Sequence, residues 1–198
     1  MSKKKIVLAA ICLLLFLSAG LALTLRSRYQ PPPMAALLEI QPPGNEMIAG
    51  YRHWTRVNPK PALVLAQTAQ LCAPLGTTAA PASPHGPDKF ITVYVNDAGR
   101  HAMMEEQSPH FPQGSIIVKE KLTTAKSATP ELLTVMYKRE SGYNPDSGDW
   151  EYLVFDGAGK SIQTRGKLEN CQACHKMDQD TDYVSRAYLP LEARTRLK

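Results

Sequence analysis

Trp150-Glu-Tyr-Leu-Val-Phe155-Asp156-Gly157-Ala158-Gly159-Lys160-Ser161-Ile-Gln-Thr-Arg165 is the stretch on which the fold turns. Residues 150–155 are aromatic and β-branched, the composition of a strand. Asp156 to Gly159 are turn residues, and residues 161–165 read as a strand returning beside the first. Working upstream, the same period predicts strands at 90–95, 115–120 and 132–138. Between them lie a turn at 96–99, one or two helical turns at 100–106, a loop at 108–114 and a turn-rich loop at 142–148. Consecutive strands joined by short connections imply an antiparallel sheet.

Earlier still, residues 45–57 read as a helix. Asn45 is placed to cap it, and Met47, Ile48, Tyr51, Trp54 and Val57 recur at three- and four-residue spacing. This stripe is expected to be core, not a cofactor contact. Pro59 and Pro61 end that helix, and residues 63–71 read as a second, short one. Residues 74–88, rich in Pro, Ala, Thr, Ser and Gly, read as a surface loop. The expectation is an α+β domain without internal repeats, its helices segregated at the N-terminal side and around a motif near the C-terminus.

That motif is Cys171-Gln172-Ala173-Cys174-His175. Two cysteines two residues apart, followed at once by histidine, is the spacing of c-type haem attachment. Each thiol adds to one haem vinyl group, and the short tether sets His175 under the iron as proximal ligand. A thiol redox pair or half of a zinc site has the same spacing, but no second zinc half follows. Only twenty-three residues follow His175, and the sole methionine among them, Met177, is too close to reach the opposite face of a haem. A methionine sixth ligand would have to come from Met103, Met104 or Met136. The strand-rich middle excludes the four-helix bundle of other late-motif cytochromes. The expectation is one covalent haem c against a β-sheet with an open distal position, where ligand binding and redox chemistry occur.

The start of the chain places this chemistry outside the cytoplasm. Lys3, Lys4 and Lys5 precede twenty uncharged residues, 6–25, about the length of one membrane span. Lysines before and Arg26 and Arg28 after favour the N-terminus inside. The segment reads as a signal anchor, with cleavage near Gly20-Leu21-Ala22 as the alternative. Either way the domain lies on the periplasmic side of a bacterial inner membrane, anchored or soluble. Residues 26–44, with Pro31-Pro32-Pro33, form a proline-rich linker, and residues 45–198 form the haem domain. Cys12 lies in the apolar segment and Cys72 stands alone, so no disulfide framework arises. The formal charge of +5 includes the three leading lysines. The rest is only mildly basic and carries no nucleic-acid signature.

Several stretches together resemble the cytochrome P-460 family. They are Phe111-Pro-Gln-Gly-Ser-Ile-Ile-Val-Lys-Glu120, Leu133-Thr-Val-Met-Tyr-Lys-Arg-Glu140, Gly142-Tyr-Asn-Pro-Asp-Ser-Gly-Asp-Trp-Glu-Tyr152, and Cys171 to His175 with Asp182-Tyr183-Val184. The resemblance implies a single haem c with His175 on the iron, and by analogy a homodimer. In hydroxylamine-oxidising members a lysine is cross-linked to the haem edge and a distal acid moves protons. In cytochrome c′-beta members the cross-link is absent, phenylalanines cap the distal face, and nitric oxide or carbon monoxide binds. The lysine of the G-x-x-x-V-K-E stretch matches Lys119. Strand alternation supports that placement, because Ser115, Ile117 and Lys119 share one face. The distal position is open among Asp178, Gln179 and Asp180. A phenylalanine cap, where present, would come first from Phe111. The functional expectation is oxidation of small nitrogen compounds such as hydroxylamine with electrons passed to an external acceptor. The alternative is a non-enzymatic gas binder.

Overall fold

The computed structural model describes residues 44–65 and 88–197, which lie within one compact unit, residues 43–198. The apolar segment 6–25, the linker 26–43, Cys72 and residues 74–87 of the expected loop lie outside the described residues. Among those described, no helix is long and apolar enough to cross a membrane.

The described chain forms strands β1 (Thr55–Arg56), β2 (Ala62–Val64), β3 (Lys89–Val95), β4 (Ile116–Leu122), β5 (Leu132–Lys138), β6 (Trp150–Asp156) and β7 (Ile162–Gly166). Helix α1 (Asp97–Met104) links β3 to β4, while α2 (Glu169–His175) and α3 (Leu191–Arg196) follow the sheet. All pairings are antiparallel, in the order β1-β3-β4-β5-β6-β7, with β2 also paired to β3. This is the expected α+β architecture. The hairpin at 156–159 forms, with a register irregularity between Val154 and Phe155.

Strand alternation divides the core in two. Ile91, Val93, Ile117, Met136 and Tyr152 belong to one cluster, which also takes in Val184 and Leu189 from beyond α2. Val118, Leu133, Val135, Leu153 and Phe155 belong to the other, together with Ile48. The first face holds the site; the second is closed by the N-terminal segment.

That segment differs from expectation. Instead of a helix over 45–57 there are two 3-10 turns, Asn45–Ile48 and Tyr51–His53, followed by β1. Gly50 between them takes a left-handed φ of 70°, which stops helical hydrogen bonding. Asn45 makes no cap and instead donates to the Lys160 carbonyl. The apolar stripe still packs as core, with Met47, Tyr51 and Trp54 against Ile48 and its sheet neighbours. Residues 62–64 are strand where the expected helix over 63–71 would begin, because they pair with β3, and residues 66–71 lie outside the described residues. Helix α1 begins three residues earlier than expected, since the Asn96 side chain accepts from the Gly99 amide and caps it. The sequence reading contained no α3.

Phe155 is fully buried in the second face. Phe155→Ala should lower unfolding free energy by about 3–5 kcal/mol in a urea titration. A loss below about 1 kcal/mol would mean this face is not a packed core.

Candidate functional site

Helix α2 presents Cys171, Cys174 and His175 to a cavity of about 580 Å³, within the roughly 300–1,000 Å³ range of ligand cavities. Its walls come from the first sheet face, including Ile91, Val93, Ile117 and Thr134, and from residues after α2, including Val184 and Tyr188. The surface is mostly apolar, as a haem requires.

His175 shows most clearly what the site can hold. Its Nδ1 lies 2.8 Å from the Tyr183 carbonyl oxygen. A carbonyl only accepts, so Nδ1 carries the proton and Nε2 keeps its lone pair. Burial, aided by the charge of Lys119 and opposed by the Tyr183 bond, drops the imidazole pKa from 6.5 to about 4. The ring is therefore neutral at pH 7, the form that ligates metal. The Tyr152 ring sits 5.4 Å from it, tilted by 42°. Two thiols and a neutral imidazole on one helix, facing an apolar cavity, fit a haem held by thioethers and one axial nitrogen. Among the described residues no group of three or more His, Cys, Asp or Glu is gathered as metal ligands.

The carbonyl that orients His175 is itself held. Asp182 and Tyr183 both have left-handed φ, 54° and 63°, unusual for residues with side chains. The peptide between them is pinned at both ends: Trp150 Nε1 donates to the Asp182 carbonyl and the Tyr183 amide donates to the Asp178 carbonyl, each at 2.8 Å. The Asp182 carboxylate accepts from Lys138 Nζ at 2.6 and 2.7 Å and from the Phe111 amide at 2.8 Å. Lys138 and Asp182 are both largely buried, and Lys138 Nζ stands 4.9 Å from the Trp150 ring centre. Deleting one partner of so buried a pair costs about 3–5 kcal/mol. Gly148 completes the seat. A Cβ there would lie 2.6 Å from the Tyr183 ring and 2.8 Å from Asp182 Oδ1, and its φ of 62° is left-handed. This explains the G-D-W sequence: glycine admits Tyr183, and tryptophan reaches Asp182.

The expected site residues separate. Lys119 lines the cavity on the face it shares with Ile117, its Nζ 6.0 Å from the Tyr188 ring centre. Asp178 lines it too; burial raises its carboxyl pKa, opposed by a hydrogen bond with Ser185. Gln179 and Asp180 are exposed and absent from the lining. Phe111 is fully buried edge-on to Trp150, centroids 5.5 Å apart, instead of on the cavity wall. Among the described residues the aromatic lining is tyrosine, Tyr152 and Tyr188, without phenylalanine. Met103 and Met136 also reach the wall, whereas Met104 does not. Sequence reading missed Lys121, a second cavity lysine two residues along β4, and Lys138 on the cavity-side face of β5. The alternation that singled out Lys119 applies equally to both.

An antiparallel sheet carrying a CxxCH helix over an apolar cavity defines a haem-binding α+β domain. The profile of the family described as Cytochrome P460 matches residues 48–186, which span β1 through α2. The chain belongs to the Cytochrome P460 family, and the family implies a haem cofactor. A search of the curated proteins finds no match.

The depressed imidazole has a consequence for the haem-free chain. As pH falls below 6.5 the unfolded state takes up a proton at His175, and the folded state does so only near 4. Stability is thus lost between pH 6.5 and 4, by up to a value on the order of 3 kcal/mol. Urea titrations across this range should show that loss, and His175→Gln should reduce it. Equal pH dependence in both chains would contradict a buried neutral His175.

Proposed function

We propose that this is an extracytoplasmic mono-haem c-type cytochrome that oxidises small nitrogen compounds such as hydroxylamine and passes the electrons to an external acceptor. The carrying observation is that Lys119 and Asp178 line one cavity with Cys171, Cys174 and His175. Cys171 and Cys174 would hold the haem by thioethers, and His175 Nε2 would supply a nitrogen ligand to its iron. Bound haem would contribute a redox-active iron to which a small substrate can bind. The apolar walls contributed by the sheet exclude water from that space. Asp178, with its pKa raised by burial, is the better proton acceptor for hydrogen lost from the substrate. Lys119, on the cavity wall, would supply a cation, or an amine for a covalent cross-link, to the bound cofactor. The basic residues 3–5 and uncharged residues 6–25 support a periplasmic domain, where covalent haem attachment occurs.

Tryptic mass mapping and turnover test the reaction together. The Lys119 peptide should be joined through haem to the peptide holding Cys171 to His175, and Lys119→Leu should separate them. The wild type should turn over hydroxylamine with an artificial electron acceptor. Lys119→Leu should abolish this, and Asp178→Asn should slow it by about 10²–10⁴-fold. A free Lys119 peptide with no turnover would instead assign the protein to the gas-binding type, which takes nitric oxide or carbon monoxide.

A further inference from the structure

The enclosure of residues 182 and 183 is heavier than chain packing alone requires. A buried lysine and an indole N–H both converge on Asp182, whose own carboxylate is buried and which with Tyr183 has left-handed backbone. The Tyr183 carbonyl oxygen so held lies 2.8 Å from His175 Nδ1. We propose that Lys138, Asp182 and Trp150 form a positioning device that fixes the Tyr183 carbonyl against His175 and thereby sets how strongly His175 donates to iron. The inference rests on the haem reading above and adds to it three residues outside the cavity lining.

The physical chain has three links. Asp182 is anchored through its carboxylate by Lys138 and the Phe111 amide. The peptide from Asp182 to Tyr183 is locked by Trp150 on its oxygen and by the Asp178 carbonyl on its N–H. With both fixed, the Tyr183 carbonyl oxygen is held 2.8 Å from His175 Nδ1. A carbonyl held close to Nδ1–H draws that proton toward itself, and the ring becomes a stronger donor through Nε2. A stronger axial donor stabilises ferric over ferrous iron, which lowers the reduction potential. Gly148 belongs to the same device, because any side chain there would displace Tyr183 or Asp182.

Haem-loaded Asp182→Asn, Lys138→Met and Trp150→Phe test this. Trp150→Phe removes the indole N–H while keeping an aromatic ring in the core. It therefore decides the matter alone if the charge variants do not fold. Arg52→Gln, which breaks the Arg52–Glu120 pair on the opposite sheet face, is the control. Resonance Raman of the dithionite-reduced proteins should show a lower iron–histidine stretching frequency in each device variant, with a more positive reduction potential and the c-type attachment retained. Arg52→Gln should match the wild type in both. Haem-loaded device variants with unchanged frequency and potential would overturn this inference and leave the haem reading standing. A wild type without covalent haem would overturn both.

Discussion

The hydrogen bond from His175 Nδ1–H to the Tyr183 carbonyl is the constraint on which the site depends. An imidazole can serve a metal only when the nitrogen facing it is unprotonated. Burial removes the charge from the ring, and the carbonyl decides which nitrogen keeps the proton. That carbonyl is available because Asp182 and Tyr183 hold left-handed backbone, which is costly for residues with side chains. The cost is offset by the Lys138–Asp182 pair, the Trp150 hydrogen bond and the space above Gly148. β5, β6 and the loop between them thus supply the support for the histidine carried on α2.

The sheet makes this possible by keeping its two faces distinct. On β4, Lys119 points into the cavity, while its neighbour Glu120 turns the other way and accepts from Tyr51 and Arg52. A shift of one residue in register would exchange them, putting a carboxylate in the cavity and leaving Tyr51 and Arg52 without their acceptor. The ladder from Ile91 and Val93 through Met136 to Tyr152 opposes that shift, since each side chain fitted to one core cluster would be turned to the other.

The strands were legible because their period and turn chemistry agree, and β5 and β6 begin where the sequence reading begins them. The CxxCH spacing is local and can be read without the fold, and the structure turns Cys171, Cys174 and His175 to one cavity. Residues 45–57 misled because a three-four apolar stripe also suits successive 3-10 turns pressed on a sheet, and Gly50 sits where it breaks the helix. Phe111 looked like a cap because phenylalanine is scarce, but its packing partner Trp150 is about forty positions away and invisible to local reading. Asp182 and Tyr183 were recognisable as a family feature, yet their role depends on Lys138, 44 residues away, which only the folded chain brings near. Among the polar residues after the motif, local sequence could not separate Asp178 from Gln179 and Asp180. Of these three, the 3-10 turn that follows α2 brings only Asp178 to the cavity lining.

The central claim is that Cys171, Cys174 and His175 hold a haem covalently. The intact mass of denatured protein, produced with a c-type maturation system, tests it most directly. The account predicts the mass of the chain plus one haem, and the bare chain mass when Cys171 and Cys174 are both replaced by alanine. A wild-type mass equal to the chain alone, or to the chain with a zinc ion retained under native conditions, would contradict it.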